Sequence, residues 1–386
     1  MAPDYVEVTI HDIAYGGDGV ARLDTGMVVF VPFAAAGDRL RVRLQAVKKR
    51  FARGVIDEVL TPGPGRVEPA CPYFGRCGGC RYQHVADDQE VPLKAGQLHD
   101  LLQRLGKFAE PPAVETPAAE CGPRWNYRNK VTMHPADGAP GFVAVDQQHV
   151  VPVSACPIAR PEINEYLADA GPCEDDLTVR VDARGTCRRV TAASTATLTE
   201  ELLGSPLQVP ANAFYQVNPP VLDAACRWLQ QALEPLAVNG LIDAYGGVGV
   251  FALALAKQCC MAVGIESHTA AVACARENAA AWGVDHAEFV AGAVEDELPR
   301  CLESAAEAAP CCLLLDPPRS GCSKKVLAAL CHHTPDCLVY VSCAPDRLAR
   351  DLQRITAETP LRLQRLAVFD MFPQTAHFET VAILTT

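Results

Sequence analysis

The chain has 386 residues, 49 % apolar and 21 % charged, with a formal net charge of −12 and 18 cysteines. That length exceeds one ordinary domain, and the composition is that of a globular protein, which excludes a disordered or fibrous chain. The acidic total excludes a surface coated in positive potential but leaves room for a local basic patch that binds nucleic acid. No run approaches the apolar length of a membrane span. The start, Met1-Ala2-Pro3-Asp4-Tyr5, lacks a basic region followed by an apolar one, so a cytoplasmic location with no membrane partner is expected. In that reducing compartment the cysteines are expected as thiols. Most should be small buried hydrophobes and a few should be ligands or nucleophiles.

Three textures follow one another. In residues 1–63, short β-rich runs such as Val6–Ile10 and Met27–Val31 are divided by Gly16-Gly17-Asp18-Gly19. This predicts a small OB-like β-barrel, ended by the breaker cluster Thr61-Pro62-Gly63-Pro64-Gly65. Residues 64–235 read as a mixed α+β domain. It opens with clustered cysteines, runs through a helical pattern from Gln89 to Leu105, and turns β-like near Val131 and from Val179 to Val190. In residues 236–386, apolar runs at Leu241-Ile242, Ala262–Ile265, Glu288–Val290, Leu313–Leu315 and Leu338–Val341 alternate with helix-length segments. Thr269 to Trp282 is the clearest of those segments. The alternation predicts a Rossmann-like, doubly wound, mostly parallel sheet, with Phe378–Leu384 as one more strand.

Leu241-Ile242-Asp243 leads into Ala244-Tyr245-Gly246-Gly247-Val248-Gly249 and then a helical pattern. A strand, a glycine turn and a helix let backbone approach a ligand closely, so Gly247 and Gly249 are candidate cofactor-binding positions. Glu266 ends the next strand, where an acid is placed to hold ribose hydroxyls. The third glycine of the dinucleotide fingerprint is missing, which favours a cofactor without a pyrophosphate, such as S-adenosylmethionine. A glycine-rich structural turn is the plain alternative.

Asp316-Pro317-Pro318-Arg319 follows one apolar run and Ser342-Cys343-Ala344-Pro345 the next, so a carboxylate and a thiol are expected at the same crevice. A strand-ending turn and an inert core cysteine are the plain alternatives. A thiolate suits conjugate addition to carbon 6 of a pyrimidine, after which carbon 5 attacks a methyl sulfonium. A base must then remove the carbon 5 proton. Glu379, flanked by apolar residues, is the candidate, with an exposed strand glutamate as the bland reading.

Taken together, Asp243-x-Tyr245-x-Gly247-x-Gly249, Asp316-Pro317-Pro318-Arg319, Ser342-Cys343-x-Pro345 and His377-x-Glu379 resemble the RNA uracil-5-methyltransferase family in order and spacing. Phe214-x-Gln216-Val217-Asn218 matches it too, and the resemblance covers essentially the whole chain. It implies S-adenosylmethionine as methyl donor, Cys343 as nucleophile and Glu379 as proton acceptor. It implies that Gln216, Tyr245, Glu266 and Asp316 line the cofactor and uracil site, with Gln216 stabilising an enolate and Phe214 stacking on an extruded base. Three positions depart from the family: Ala344 stands where Asn is usual, Gly246 where Cys is frequent, and Val250 where a polar residue is common.

Cys71, Cys77 and Cys80, with Cys156 far downstream, suit a [4Fe–4S] cluster or structural zinc. The spacing resembles the iron–sulfur site of many family members. Residues 1–63 resemble the RNA-binding TRAM domain. Arg39, Arg41, Arg43, Lys48, Lys49, Arg50 and Arg53 occur there with no acid between them, and the alternating arginines predict a phosphate-binding stripe on one strand face. Arg124 to Lys130 interleaves bases and aromatics as a second candidate RNA contact. The barrel and cluster together resemble the large-subunit ribosomal RNA branch of the family, which implies 23S rRNA as substrate ahead of tRNA, with no obligate protein partner evident. Two rivals stand beside that reading. Cytosine-5 methylation would place a cysteine directly after the prolines, where Arg319 stands. A non-catalytic iron–sulfur RNA-binding protein would have no use for Cys343, Glu379, Asp316 and Gln216 together.

Overall fold

A computed structural model describes residues 5–117, 122–305 and 308–386, so Met1 to Asp4 of the chain's start lie outside it. Strands β1 (Tyr5–Thr9), β2 (Asp12–Ile13), β3 (Asp18–Arg22), β4 (Val28–Pro32), β5 (Arg39–Val47) and β6 (Phe51–Thr61) form one sheet in the order β1-β5-β6-β4-β3-β2. Alternate residues such as Val29, Val31, Leu40 and Val42 turn inward and are fully buried. Just beyond β1, the His11 amide donates to the Val20 carbonyl of β3 (3.0 Å), which curls the sheet back on itself. The end of the barrel is pinned by Asp38. Its carboxylate accepts from the amides of Ala35 (2.7 Å) and Gly63 (2.8 Å) and from the Arg66 guanidinium.

Helix α1 (Asp87–Arg104) and the short β7 (Val114–Glu115) come next, and both leave the middle region to pack elsewhere. A five-stranded sheet follows, built from β8 (Lys130–Ala136), β9 (Ala139–Val143), β10 (Val150–Pro152), β11 (Leu177–Val181) and β12 (Cys187–Val190) in the order β10-β9-β8-β11-β12. Helix α2 (Pro161–Ala168) covers one face of it, burying Ile163 and Leu167 against Val131, Met133 and Val179. Strands β13 (Thr197–Leu202) and β14 (Ser205–Pro210) make a hairpin through Leu203 and Gly204, both at positive φ. Helix α3 is Pro219–Leu233.

The C-terminal layer alternates β15 (Gly240–Ala244), α4 (Val250–Leu255), β16 (Met261–Glu266), α5 (Thr269–Ala281), β17 (Ala287–Ala291), α6 (Val294–Ala305), β18 (Cys311–Leu315), α7 (Lys324–His332), β19 (Cys337–Ser342) and α8 (Pro345–Glu358). It closes with β20 (Arg362–Phe369) and β21 (Glu379–Thr385), giving an eight-stranded sheet ordered β17-β16-β15-β18-β19-β21-β20-β7. The pairs from β17 to β19 are parallel, while β21 runs antiparallel to both β19 and β20. The doubly wound, mostly parallel layer expected from the alternation is therefore present. Every residue of β15, β18 and β19 is buried, as expected of strands covered on both faces. One face packs on α3, α4 and α5, and the other on α1, α6, α7 and α8. Among the described residues no helix is long and apolar enough to cross a membrane.

Candidate active site

Strand order reverses between β16 and β18, which flank β15, so a crevice opens at the carboxyl ends of these strands. The glycine turn fills its floor. Tyr245 has a φ of 66°, a left-handed conformation costing a non-glycine residue roughly 1–3 kcal/mol, and such strain is characteristic of functional sites. Gly249 caps α4 at a φ of 86°, and a Cβ there would meet the Phe289 ring at 3.0 Å. Glu266, at the end of β16, accepts from the Gly247 amide (3.2 Å) and from His268 (2.7 Å), which holds its carboxylate beside the turn.

Gln216, Tyr245, Glu266, Asp316, Cys343 and Glu379 all line one cleft of about 1040 Å³. Gly247 and Gly249 shape its floor without lining it. Each chemical group comes from the end of a different strand or loop. Asp316 follows β18 and Cys343 follows β19. Glu379 opens β21 and reaches the same end because that strand runs the other way. The β19–β21 ladder ends where Ser342 pairs with Thr380, so Cys343 and Glu379 follow directly on that last pair, close enough for the carboxylate to act on the thiol.

The electrostatics follow from burial. Desolvation pushes the Cys343 thiol up to about 11; the Glu379 carboxylate adds to this, while Arg319, within hydrogen-bonding reach of the sulfur, opposes it. Glu379 is only 5 % exposed, so it is no solvated strand glutamate. Burial, then Asp316, raises its pKa well above the usual carboxylate value, and Gln216 offers it a hydrogen bond. Asp316 is partly open to the cleft by surface area yet densely surrounded by protein; desolvation, then Asp243, raises it to about 7. Gln216 Oε1 and Glu379 Oε2 are buried without a hydrogen-bond partner, so both are free to meet a ligand.

The four cysteines lie along the same cleft. Burial pushes Cys77, Cys80 and Cys156 up, Cys80 to about 12, and neighbouring thiols of the set push each further. The Gly79 amide points at the Cys77 sulfur (3.4 Å). Among the described residues, however, no group of three or more His, Cys, Asp or Glu side chains stands where it could hold a metal ion.

Several site residues had little or no sequence signal. Arg319 and His377 lie inside the motifs but carried no assigned role; both line the cleft. Burial, then Arg319, lowers His377 to about 4, which keeps its imidazole neutral. Tyr15, from the barrel, packs edge-on against Phe378 with ring centroids 6.1 Å apart, and its phenol is raised to about 12 by burial, then by Asp346 and Cys343.

The basic stripe on β5 differs from the sequence expectation. Arg39 pairs with Glu7 of β1 (2.8 Å), and Arg41 with Glu58 and Asp57 of β6. Arg53 pairs with Asp18. The run has no acid along the chain, but sheet pairing brings acids across from neighbouring strands. Arg124 is likewise engaged, by Asp87, Glu90 and Asp370.

A thiol, a buried carboxylate and a glycine turn at the switch point of a doubly wound sheet have the arrangement of an α/β group-transfer enzyme. The family model described as tRNA (Uracil-5-)-methyltransferase matches residues 176–386, and the TRAM domain model matches residues 4–56. An uncharacterized RNA methyltransferase of Thermosynechococcus vestitus is 33 % identical, the match covering 99 % of this chain and 98 % of that protein. A second, from Nostoc sp., is 32 % identical over 99 % and 96 %. The crystal structure of Pyrococcus abyssi tRNA (uracil-54, C5)-methyltransferase with S-adenosyl-L-homocysteine superposes with a TM-score of 0.72 at 22 % identity, covering 98 % of this chain and 99 % of that one. The chain belongs to the S-adenosylmethionine-dependent family of RNA uracil-5-methyltransferases, with an N-terminal TRAM domain.

Proposed function

We propose that this enzyme methylates carbon 5 of a uridine in 23S rRNA, through a covalent bond between Cys343 and carbon 6. The observation that carries the reading is that Cys343 and Glu379, adjoining the last β19–β21 pair, line one cleft with Asp316 and Gln216. The residues at the glycine turn fit S-adenosylmethionine: Glu266 is held beside the turn and lines the cleft, an acid suited to ribose hydroxyls, and Gly247 has nothing within 4 Å of where its Cβ would be. The bound donor supplies an electrophilic methyl group on its sulfonium sulfur.

Cys343 Sγ, as thiolate, adds to carbon 6 of the uracil, and the electron pair of the 5,6 double bond moves toward O4. Gln216 donates a hydrogen bond to the enolate that forms. Carbon 5 then takes the methyl group, and the sulfonium becomes a neutral thioether. Glu379 removes the carbon 5 proton, the double bond reforms, and Cys343 leaves as thiolate. Because burial disfavours its anionic form, Glu379 is a strong base when ionised. Phe214, 69 % exposed on the cleft rim, offers a face on which an extruded base stacks.

Cys71, Cys77, Cys80 and Cys156 are proposed to hold a structural [4Fe–4S] cluster in a cytoplasmic setting. Four cysteines lining the same cleft and a backbone amide pointing at the Cys77 sulfur support it. Iron and acid-labile sulfide measured on anaerobically purified protein test it, and zinc in their place overturns it. The test of the main reading is mapping 5-methyluridine in total RNA with and without the protein. Loss of one 23S site is expected; loss at a tRNA site moves the substrate to tRNA, and no change ends the proposal.

A further inference from the structure

Residues Tyr127 to Thr132 alternate as a strand does. Tyr127, Asn129 and Val131 are 3 %, 1 % and 2 % exposed, while Arg128, Lys130 and Thr132 are more open and line the cleft, with Val131 beneath them. This strand is stitched to the segment carrying Gln216. The Asn129 amide donates to the Val217 carbonyl (3.2 Å), and Asn129 Nδ2 donates to the Gln216 carbonyl (3.2 Å). Two cations therefore stand one strand away from the residue assigned to the uracil, with Phe214 on the same wall.

Several arginines of the barrel and its neighbourhood are already spent on acids. Arg39, Arg41, Arg53, Arg66, Arg81 and Arg124 are all engaged by carboxylates. Neither Arg128 nor Lys130 has an acidic partner among the described residues. Arg128 Nε donates instead to the Lys130 carbonyl (2.9 Å), which holds the guanidinium along the strand. Burial, then Arg180 and Arg128, lowers the Lys130 pKa, so this lysine sits in positive surroundings. Two half-buried, uncompensated cations inside a cleft of an acidic protein call for an anion that arrives with the substrate.

We propose that Arg128, Lys130 and Thr132 form a phosphate track for the nucleotide adjoining the target uridine, with Phe214 stacking on a base of the same strand. This rests on the uridine-methylation reading. It assigns the RNA backbone nearest the reaction to the central sheet, leaving the barrel to grip more distant RNA. The ligand is the phosphodiester itself, recognised by charge and not by base identity.

The test is RNA binding by the full-length protein as a function of salt, using a short single-stranded RNA with one central uridine. A second set of RNAs carries a neutral methylphosphonate linkage on the 5′ or the 3′ side of that uridine. In R128Q/K130Q the log–log salt slope should be shallower by about one to two, the worth of two phosphate contacts. One neutral linkage should weaken binding to the unaltered protein several-fold and leave the variant indifferent. Unchanged S-adenosylhomocysteine binding reports that the variant is folded, and the neutral-linkage arm stands on the unaltered protein alone. Equal slopes, or equal sensitivity to the neutral linkage in both proteins, overturn the track. So does a variant that loses iron while its RNA slope stays the same, since the cations would then serve the thiols. A protein that binds with the expected slope yet methylates no RNA keeps the track and ends the methylation reading.

Discussion

Lys94 and Asp370 lie 276 residues apart in the chain and 2.6 Å apart in the fold. Lys94 Nζ is also 2.6 Å from Glu90 Oε1, which in turn accepts from the Gln374 amide (2.8 Å). Arg124 completes the cluster by pairing with Glu90 and Asp87. This buried ionic knot ties α1 to the loop 370–378, which delivers His377 and then Glu379 to the cleft. Lys94→Met removes the fully buried ammonium of the knot and leaves Glu90 and Asp370 with only the partly exposed Arg124 as counter-charge. It should destabilise the fold by about 3–5 kcal/mol, read as a lower midpoint in urea unfolding. A stability change under about 1 kcal/mol, the worth of a surface pair, would mean the knot is solvated.

The two central side chains of the proposed reaction separate by what they leave behind. Cys343→Ala should abolish methyl transfer while S-adenosylhomocysteine still binds. Glu379→Gln should permit addition and block elimination, so a protein–RNA adduct should persist in denaturing gels and gain the methyl mass. Normal turnover by Cys343→Ala removes the nucleophile assignment.

The pH profile has a defined sign. Burial and Glu379 raise the Cys343 thiol to about 11, and only the ionised thiolate adds to the ring. Glu379, itself raised, must also be ionised to take a proton. Both requirements favour high pH, so kcat/KM for the RNA should climb from neutral into the alkaline range. Arg319 lowers the thiol's pKa, so Arg319→Gln should move the rise to higher pH. A profile that falls above neutrality contradicts this assignment.

Asp38 gives the barrel a separate acid response. Burial pushes its carboxyl up, but Arg66 and the amides of Gly63 and Ala35 outweigh it and hold the folded-state pKa below the ordinary range. Its contribution is therefore complete above the unfolded pKa of about 3.9 and is lost as pH falls through the folded value. Asp38→Asn should cost about 2–4 kcal/mol at neutral pH and flatten the acid limb of a thermal-unfolding series.

On the barrel, RNA affinity should depend on the β5–β6 turn and not on the paired arginines. Neutralising Lys48, Lys49 and Arg50 together should weaken binding and make it less salt-sensitive. Neutralising Arg39 and Arg41, already engaged by Glu7, Glu58 and Asp57, should change it much less. Filter-binding curves at two salt concentrations distinguish the pairs, and the reverse ranking would restore the strand stripe.

Much of the layout was legible in the chain itself. The helix expected from Gln89 to Leu105 is α1, and the run Leu338–Val341 lies within β19. Period and turn chemistry are local, so they survive without tertiary information. What α1 packs against was not legible. It belongs by sequence to the middle region, yet Leu98 and Leu102 are fully buried in the core of the C-terminal sheet. β7 likewise pairs with β20 across some 250 residues, as the register of Val114 with Leu366 shows. An amphipathic face states that a partner exists and not which one.

By itself the sequence determined the order of strands and helices, the glycine turn after β15, and the chemical kinds of side chain at the strand ends. Those properties are set by residues within a few positions of one another. Only the tertiary structure decided that β21 enters the sheet antiparallel beside β19 and so brings Glu379 to Cys343, that cross-strand acids neutralise Arg39 and Arg41, and that Arg128 and Lys130 are left unpaired in the cleft. Charge compensation and approach of reacting groups depend on distances through space, and a chain folded into sheets makes near neighbours of residues its sequence holds far apart.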